Sequence, residues 1–142
     1  MASVLDVAQH VLELGGEMTT MKLQKLVYYC QAWHIAWHDD VLFKERIEAW
    51  ADGPVTPELF KKHARAFRVR KISGAESSHL TDKEKKTISK IVEFYGDKSP
   101  QWLSDLTHQE DPWRLARKNL PARASCSEEI TPQSMARYYT SL

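Results

Sequence analysis

Residues 21–37 are apolar on nearly every side when they are drawn as a helix. The apolar residues of this stretch are Leu23, Leu26, Val27, Tyr28, Tyr29, Cys30, Ala32, Trp33, Ile35, Ala36 and Trp37. A helix with so little polar surface is normally buried between other helices. The sequence therefore predicts a domain in which this segment is the central helix and the other elements pack around it.

The starts of the surrounding helices are predicted from a recurring signal, a capping side chain followed by proline. The four pairs are Thr56-Pro57, Ser99-Pro100, Asp111-Pro112 and Thr131-Pro132. The capping side chain accepts hydrogen bonds from the first amides, and proline at the first helical position loses nothing by lacking a donor. Two further helices are expected, from about Val4 to Leu14 and from the capping box of Thr81 and Glu84 to Gly96.

Between residues 41 and 55 the pattern changes to short apolar runs with turn residues. Two short strands are expected near 41–43 and 47–50, and Asp52-Gly53-Pro54 should turn the chain into the helix at Pro57. Residues 68–79 and 121–129 are polar and are expected to be exposed loops. The predicted fold class is mainly α, a single compact helical domain over residues 1–142 with about six to seven helices around a buried central helix and a small β-hairpin.

Charge and hydropathy set limits on the function. The chain has 20 Lys and Arg against 19 Asp and Glu, a formal net charge of +1, so it has no strong overall bias toward nucleic acid or acidic membranes. No run approaches the roughly 18 apolar residues of a membrane span, and the first residues are too polar for a signal peptide. From these features we expect a cytoplasmic protein. Its two cysteines do not make a disulfide framework, which agrees with a reducing environment.

Cys30, His34 and His38 lie on one side of the central helix, at the spacing of possible metal ligands. Zinc normally takes four ligands, and Ile35 occupies the position where a metalloprotease helix carries a glutamate base. We therefore interpret Cys30 as a small buried hydrophobic residue, His34 as a ring with one hydrogen-bonded nitrogen, and His38 as an exposed helix end. No metal site is expected.

No other motif indicates an enzyme or a cofactor. His108 and Glu110 have the His-x-Glu spacing of zinc deaminases, but the Pro-Cys-x-x-Cys segment of those enzymes is missing from the sequence. The five glycines do not have the spacing of a phosphate-binding loop. The prediction is a protein without catalytic residues and without a cofactor.

Residues 61–71, KKHARAFRVRK, contain six Lys or Arg and no acidic residue, and we call them the basic segment. A solvated surface is the simplest interpretation, but such a cluster can also bind phosphate groups or an acidic protein. The candidate binding residues in this segment are Lys61, Lys62, Arg65, Arg68 and Arg70.

Two stretches carry a resemblance to a known family, residues 21–60 and 103–117. Their matching words are K-L-Q-K-L, Tyr28-Tyr29, Q-A-W-H, I-E-A-W, D-G-P-V-x-P-E-L and T-H-x-E-x-P-W. In this order and at these distances they resemble the Panacea antitoxin domain, also known as the SocA-like or phage-associated GepA-like family.

The resemblance implies an antitoxin of a bacterial or prophage toxin–antitoxin system, which neutralises a cognate toxin by direct protein–protein binding. The toxin would be encoded by an adjacent gene. Some members are similar to a proteolytic adaptor that delivers its toxin to a AAA+ protease. From the residues themselves, a nucleic-acid-binding transcriptional regulator that uses the basic segment remains an alternative.

The matching words also contain candidate functional residues. Trp50 lies beside a Gly-Pro turn and is of a type enriched in binding hot spots, although it could equally cap the core. The hairpin candidates for partner binding are Trp50, Asp52, Pro54 and Val55. A structural polar network is expected in which the segment 107–113 holds His34, and its members are His34, Thr107, His108, Glu110 and Trp113. Partner-specific contacts are expected in residues 61–79 and 122–142.

Overall fold

The computed structural model describes residues 2–121 and 123–142. Met1 and Ala122 lie outside the described residues, and Ala122 belongs to the predicted loop over 121–129 and to the predicted partner segment over 122–142. The described residues form seven α-helices: α1 Val4–Gly15, α2 Thr20–His38, α3 Pro57–His63, α4 Asp82–Tyr95, α5 Pro100–Gln109, α6 Asp111–Ala116 and α7 Pro132–Tyr139. A short 3₁₀ helix covers Ser77–His79. The predicted mainly α fold class is confirmed.

Helix α2 is the central element, as its composition predicts. Helices α1, α4, α5 and α7 pack on it from different sides, so that its residues from Leu23 to Ala32 are all buried. The side chain of Thr19 accepts a hydrogen bond from Lys22 N and begins the helix, and Asp39, with a φ of 53°, ends it. Cys30 is fully buried and His38 is exposed, as expected.

The capping prediction is right at two of the four proline-started helices. Ser99 and Thr131 accept hydrogen bonds from Trp102 N and Ser134 N. The hydroxyl of Thr56 makes no cap bond. The predicted cap at Asp111 is also wrong, because α6 begins at Asp111 itself and the preceding Glu110 uses its carboxylate elsewhere.

The β-structure comprises two small antiparallel sheets. The strands are β1 Met18–Thr19, β2 Ile47–Trp50, β3 Gly53–Val55, β4 Arg68–Val69 and β5 Glu129–Ile130. One sheet pairs β1 with β4, and the other has the order β3-β2-β5. Pro54 lies in the edge strand β3, where a missing amide donor is tolerated.

The predicted strand at residues 41–43 is wrong, because β2 forms its hairpin with β3 on the other side. Leu42 and Phe43 are instead buried in an irregular segment that the Gln31 side chain holds. Leu42 N donates to Gln31 Oε1 at 2.7 Å, and Gln31 Nε2 donates to Phe43 O at 2.7 Å. The predicted loops at 68–79 and 121–129 also contain short regular elements, since β4, the 3₁₀ helix and the first residue of β5 fall within them.

Across the described residues, no helix combines the length and the apolar character needed to cross a membrane.

Candidate partner-binding site

The amide of Gln24 on α2 joins the hairpin and helix α3. Thr56 N donates to Gln24 Oε1 at 2.9 Å, and Gln24 Nε2 donates to Thr56 O at 3.4 Å and lies 2.9 Å from His63 Nε2. Because an amide nitrogen only donates, His63 Nε2 is the acceptor and the ring proton lies on Nδ1. Burial lowers the pKa of His63, which keeps the ring neutral in this arrangement.

Lys25, the next residue, places a buried ammonium group beneath the hairpin. Its Nζ donates to Pro54 O at 3.4 Å, and the side chain is 1% exposed. Burial lowers the pKa of Lys25 to about 8, although the nearby Asp52 carboxylate raises it. Gly53 has a φ of 124°, and a Cβ at this position would collide with the Cε atom of Lys25. A side chain at position 53 would therefore have to displace the buried end of Lys25 and adopt a φ that L-residues rarely adopt.

Side chains from α5, from α6 and from the residue after α6 hold the hairpin through its backbone carbonyls. Ser104 Oγ donates to Asp52 O at 2.7 Å, Trp113 Nε1 donates to Trp50 O at 2.8 Å, and Arg117 Nη1 donates to Ala49 O at 2.9 Å. Since each bond ends on a backbone atom, these contacts fix the path of the hairpin and leave its side chains available for other contacts.

The expected contact between His34 and the segment 107–113 is wrong. His34 Nδ1 lies 2.8 Å from Thr87 Oγ1 on α4. The segment contacts Tyr29 instead, because Glu110 Oε1 accepts hydrogen bonds from Tyr29 at 2.7 Å and from Tyr139 on α7 at 2.8 Å. Burial raises the pKa of Glu110, and the two hydroxyl groups partly oppose that shift.

The remaining members of the predicted network make local contacts. The His108 ring stacks on Trp113 with centroids 4.1 Å apart. Its buried Nε2 has no hydrogen-bond partner among the described residues. Thr107 Oγ1 donates to Ser104 O at 2.7 Å within α5. These side chains therefore pack α5 against α6 and the hairpin and do not contact His34.

A cleft of about 740 Å³ opens between the start of α2, the hairpin, α3 and the segment before β5. Trp50 and Phe60 pack edge to face in its wall with centroids 5.0 Å apart, and Phe67 lies at its border with 78% of its surface exposed. Its lining residues are Thr20, Met21, Gln24, Lys25, Glu48, Trp50, Ala51, Asp52, Val55, Phe60, His63, Phe67, Ser125, Cys126 and Ser127. A volume of this size is typical of sites that enclose apolar groups.

The structure brings together some of the residues predicted to bind a partner. Trp50, Asp52 and Val55 line the cleft, whereas Pro54 is buried in β3. The five predicted basic residues are all exposed. Lys61 forms an ion pair with Glu58 at 3.0 Å and Arg68 forms one with Glu17 at 2.9 Å, whereas the other three form no ion pair with a described residue. These three are Lys62, Arg65 and Arg70.

Sequence reasoning missed Gln24, Lys25, His63 and Phe67 in this site. The nearest signal was the K-L-Q-K-L word, in which Gln24 and Lys25 stand between the apolar residues Leu23 and Leu26. A polar side chain in a buried helix requires a partner, and that requirement could have marked Gln24 and Lys25. Phe67 carried no comparable signal, because a single phenylalanine among basic residues does not reveal whether it is buried.

The described residues offer little for metal or nucleophilic chemistry. Within residues 2–121 and 123–142, no group of three or more His, Cys, Asp or Glu side chains is placed to hold a metal ion. Burial raises the pKa of Cys30, which disfavours the reactive thiolate. The arrangement at the cleft is suited to contacts with apolar and charged groups of a ligand.

Comparison with models of known protein families gives a match. A family model described as the antitoxin SocA-like, Panacea domain matches residues 23–114, more than half of the 142-residue chain. The matched span includes the hairpin, α3 and the residues of α2 and α5 that hold the hairpin. No curated protein and no solved structure matches the chain.

Proposed function

Because this chain belongs to the SocA-like Panacea antitoxin family, we propose that it neutralises a cognate toxin by binding to it directly. The toxin would be a cytoplasmic protein encoded by an adjacent gene in a bacterial or prophage genome. The complex itself inhibits the toxin, so this chain supplies a binding surface and no catalytic group.

The observation that carries this proposal beyond the family name is the open cleft beside Phe67. A phenylalanine that is 78% exposed at the border of a cleft walled by Trp50 and Phe60 leaves a large aromatic surface in contact with water. Aromatic side chains of this kind are enriched in the central contacts of protein interfaces. Covering them with a partner gains hydrophobic free energy, because the apolar surface is removed from water.

The proposal is tested by co-expression with the product of each neighbouring gene. A neighbour that stops growth when it is expressed alone should be tolerated when this chain is present, and the two proteins should co-purify. Rescue without a complex, or a toxic neighbour that this chain neither binds nor neutralises, contradicts the proposal.

The basic segment supports a second candidate function, a regulator that binds nucleic acid. The exposed Lys62, Arg65 and Arg70 are suited to phosphate contacts, whose affinity falls steeply as salt rises. Binding to the promoter of its own gene, lost when Arg65, Arg68 and Arg70 are replaced by alanine, would favour this function. The adaptor function makes a different prediction, namely that the toxin is degraded faster in the presence of this chain.

A further inference from the structure

We propose that the cleft binds an apolar side chain of the toxin and that the basic segment binds acidic residues next to that side chain. The inference rests on the proposed antitoxin function and states which chemistry the partner must present: an acidic segment with an aromatic or aliphatic anchor. The observations that carry it are the exposure of Phe67, the aromatic wall of the cleft and the uneven distribution of charge around it.

Phe67 is presented by a fixed backbone. Thr20 N, at the start of α2, donates to Phe67 O at 2.9 Å, and the following residues Arg68 and Val69 pair with β1. A side chain on an ordered backbone loses less conformational entropy when it is covered than one on a mobile loop. Phe67 is therefore pre-organised to contact a partner.

The wall formed by Trp50 and Phe60 can accept an apolar group. Trp50 Nε1 already donates to Glu48 Oε1 at 2.8 Å, so a ligand that covers the indole does not leave this donor without an acceptor. The contact between Trp50 and Phe60 fixes the orientation of both rings. An aliphatic or aromatic side chain that enters the cleft thus meets the aromatic residues that line it, Trp50, Phe60 and Phe67.

The charges of the basic segment and of the hairpin, which both contribute residues to the cleft lining, are compensated to different degrees. In the basic segment, Lys61 and Arg68 are paired with Glu58 and Glu17. The other four cations make no ion pair with a described residue: Lys62, Arg65, Arg70 and Lys71. On the hairpin side, Glu48 is compensated by Arg46 at 3.0 Å, and Asp52 lies close to the buried Lys25.

The uncompensated charge of the basic segment is therefore positive, and the same segment contributes His63 and Phe67 to the lining of the cleft. An acidic partner segment complements it, whereas a basic segment is repelled. The same argument gives the orientation of the partner, with its acidic residues over the basic segment and its apolar anchor in the cleft.

The test is calorimetric titration of the purified chain with the neighbouring toxin, at low and at physiological salt. Phe67→Ala should weaken binding roughly tenfold or more, because it removes an exposed aromatic contact. The double variant Arg65→Glu and Arg70→Glu should weaken binding by a similar factor and reduce its dependence on salt. Each variant has a matched control elsewhere on the surface.

The control for Phe67→Ala is Phe94→Ala on α4, since Phe94 is 67% exposed and lies outside the cleft. The control for the charge reversal is the double variant Lys83→Glu and Lys86→Glu. It reverses the charge of two exposed lysines on α4, so the net charge of the protein changes by the same amount. Both controls should bind the toxin like the unmodified chain.

The outcomes separate the two proposals. If the unmodified chain does not bind the toxin, the antitoxin proposal is overturned, together with the inference that rests on it. If the toxin binds but the cleft and basic variants bind as well as their controls, only the inference is overturned. Tighter binding after the charge reversal, or binding of the basic segment to duplex DNA in place of the toxin, also overturns it.

Discussion

The two ends of helix α2 contain buried polar side chains of similar kind, but the protein uses them differently. Near its start, Gln24 and Lys25 bond the hairpin and α3, which form the walls of an open cleft. Further along, Tyr29 bonds Glu110 between α5 and α6, and His34 bonds Thr87 on α4, in closely packed surroundings. A buried polar group in a central helix therefore does not by itself indicate a functional site. The distinguishing feature is that the elements supported by Gln24 and Lys25 also enclose an open cleft.

The largest expected effect in this comparison is at the hairpin. Replacement of Gly53 by alanine should lower the free energy of unfolding by about 3 kcal/mol, since the new Cβ collides with Lys25 at an unfavourable φ. The measurement is urea unfolding. Gly16→Ala is the matched control, because its φ is 78° but no atom lies within 4 Å of the added Cβ. Gly16→Ala should lower the free energy of unfolding by only about 1 kcal/mol. Equal losses would contradict the close approach of the hairpin to α2.

The second effect compares two glutamines of α2. Gln24→Leu and Gln31→Leu each leave buried backbone groups without partners, at Thr56 and at residues 42–43. Each should reduce the free energy of unfolding by about 2 kcal/mol. Only Gln24→Leu should also weaken toxin binding, because Gln24 supports the cleft. If both variants bind the toxin equally well, the distinction between the two ends of the helix fails.

A third, smaller effect concerns pH. Burial lowers the pKa values of both His63 near the cleft and His34 in the closed region, relative to the ordinary value of 6.5. The unfolded chain then binds more protons than the folded one as pH falls below 6.5, so stability present at neutral pH is lost on acidification. Protonation of His63 also places a proton opposite the donor of Gln24.

Toxin binding should therefore weaken on acidification in the unmodified chain, beyond any change due to unfolding. In His34→Gln, which leaves His63 in place, this additional weakening should persist, and in His63→Gln it should be reduced. The check is calorimetric titration with the toxin, combined with unfolding curves, at neutral pH and at pH values below 6.5. Identical pH profiles for the two variants would remove the proposed link between His63 and the cleft.

The smallest effect uses the two cysteines as reporters, with no expected change in stability. Cys30 is fully buried in the closed region, whereas Cys126 is half-buried in the lining of the cleft. A maleimide reagent should modify Cys126 in the folded protein and both cysteines after denaturation. Mass spectrometry of the labelled peptides gives the result, and rapid labelling of Cys30 would contradict the packing around α2.

The helices were largely predictable from the sequence because their signals are local. A capping side chain and proline act within one turn, so the starts of α5 and α7 follow from neighbouring residues. The central position of α2 followed from its composition alone. The strand partner of β2 was not predictable in the same way, because the residues on both sides of it are apolar and only tertiary packing decides which of them pair.

The wrong partner for His34 has a geometric reason. Tyr29 and His34 are separated by five positions, which is roughly 140° around an α-helix. The segment that contacts Tyr29 through Glu110 therefore lies on a different side of α2 from the one that His34 faces, where α4 supplies Thr87. The periodicity of α2 could be predicted from its residues, but the side on which each neighbour packs could not. The cleft was missed for the same reason, since Phe60, Phe67 and residues 125–127 meet only in the folded chain.

The distribution of the cleft along the chain has a consequence for protein synthesis. One wall comes from the start of α2, another from the hairpin and α3, and a third from residues 125–127. Next to this third wall, Ala49 N donates a hydrogen bond to Glu128 O. A ribosome adds residues from the N-terminus, so a growing chain contains the whole matched span, residues 23–114, before it can complete this cleft. Under the proposed function, partial translation products would be poor inhibitors of the toxin, and a cell would gain protection only from chains extended beyond residue 128.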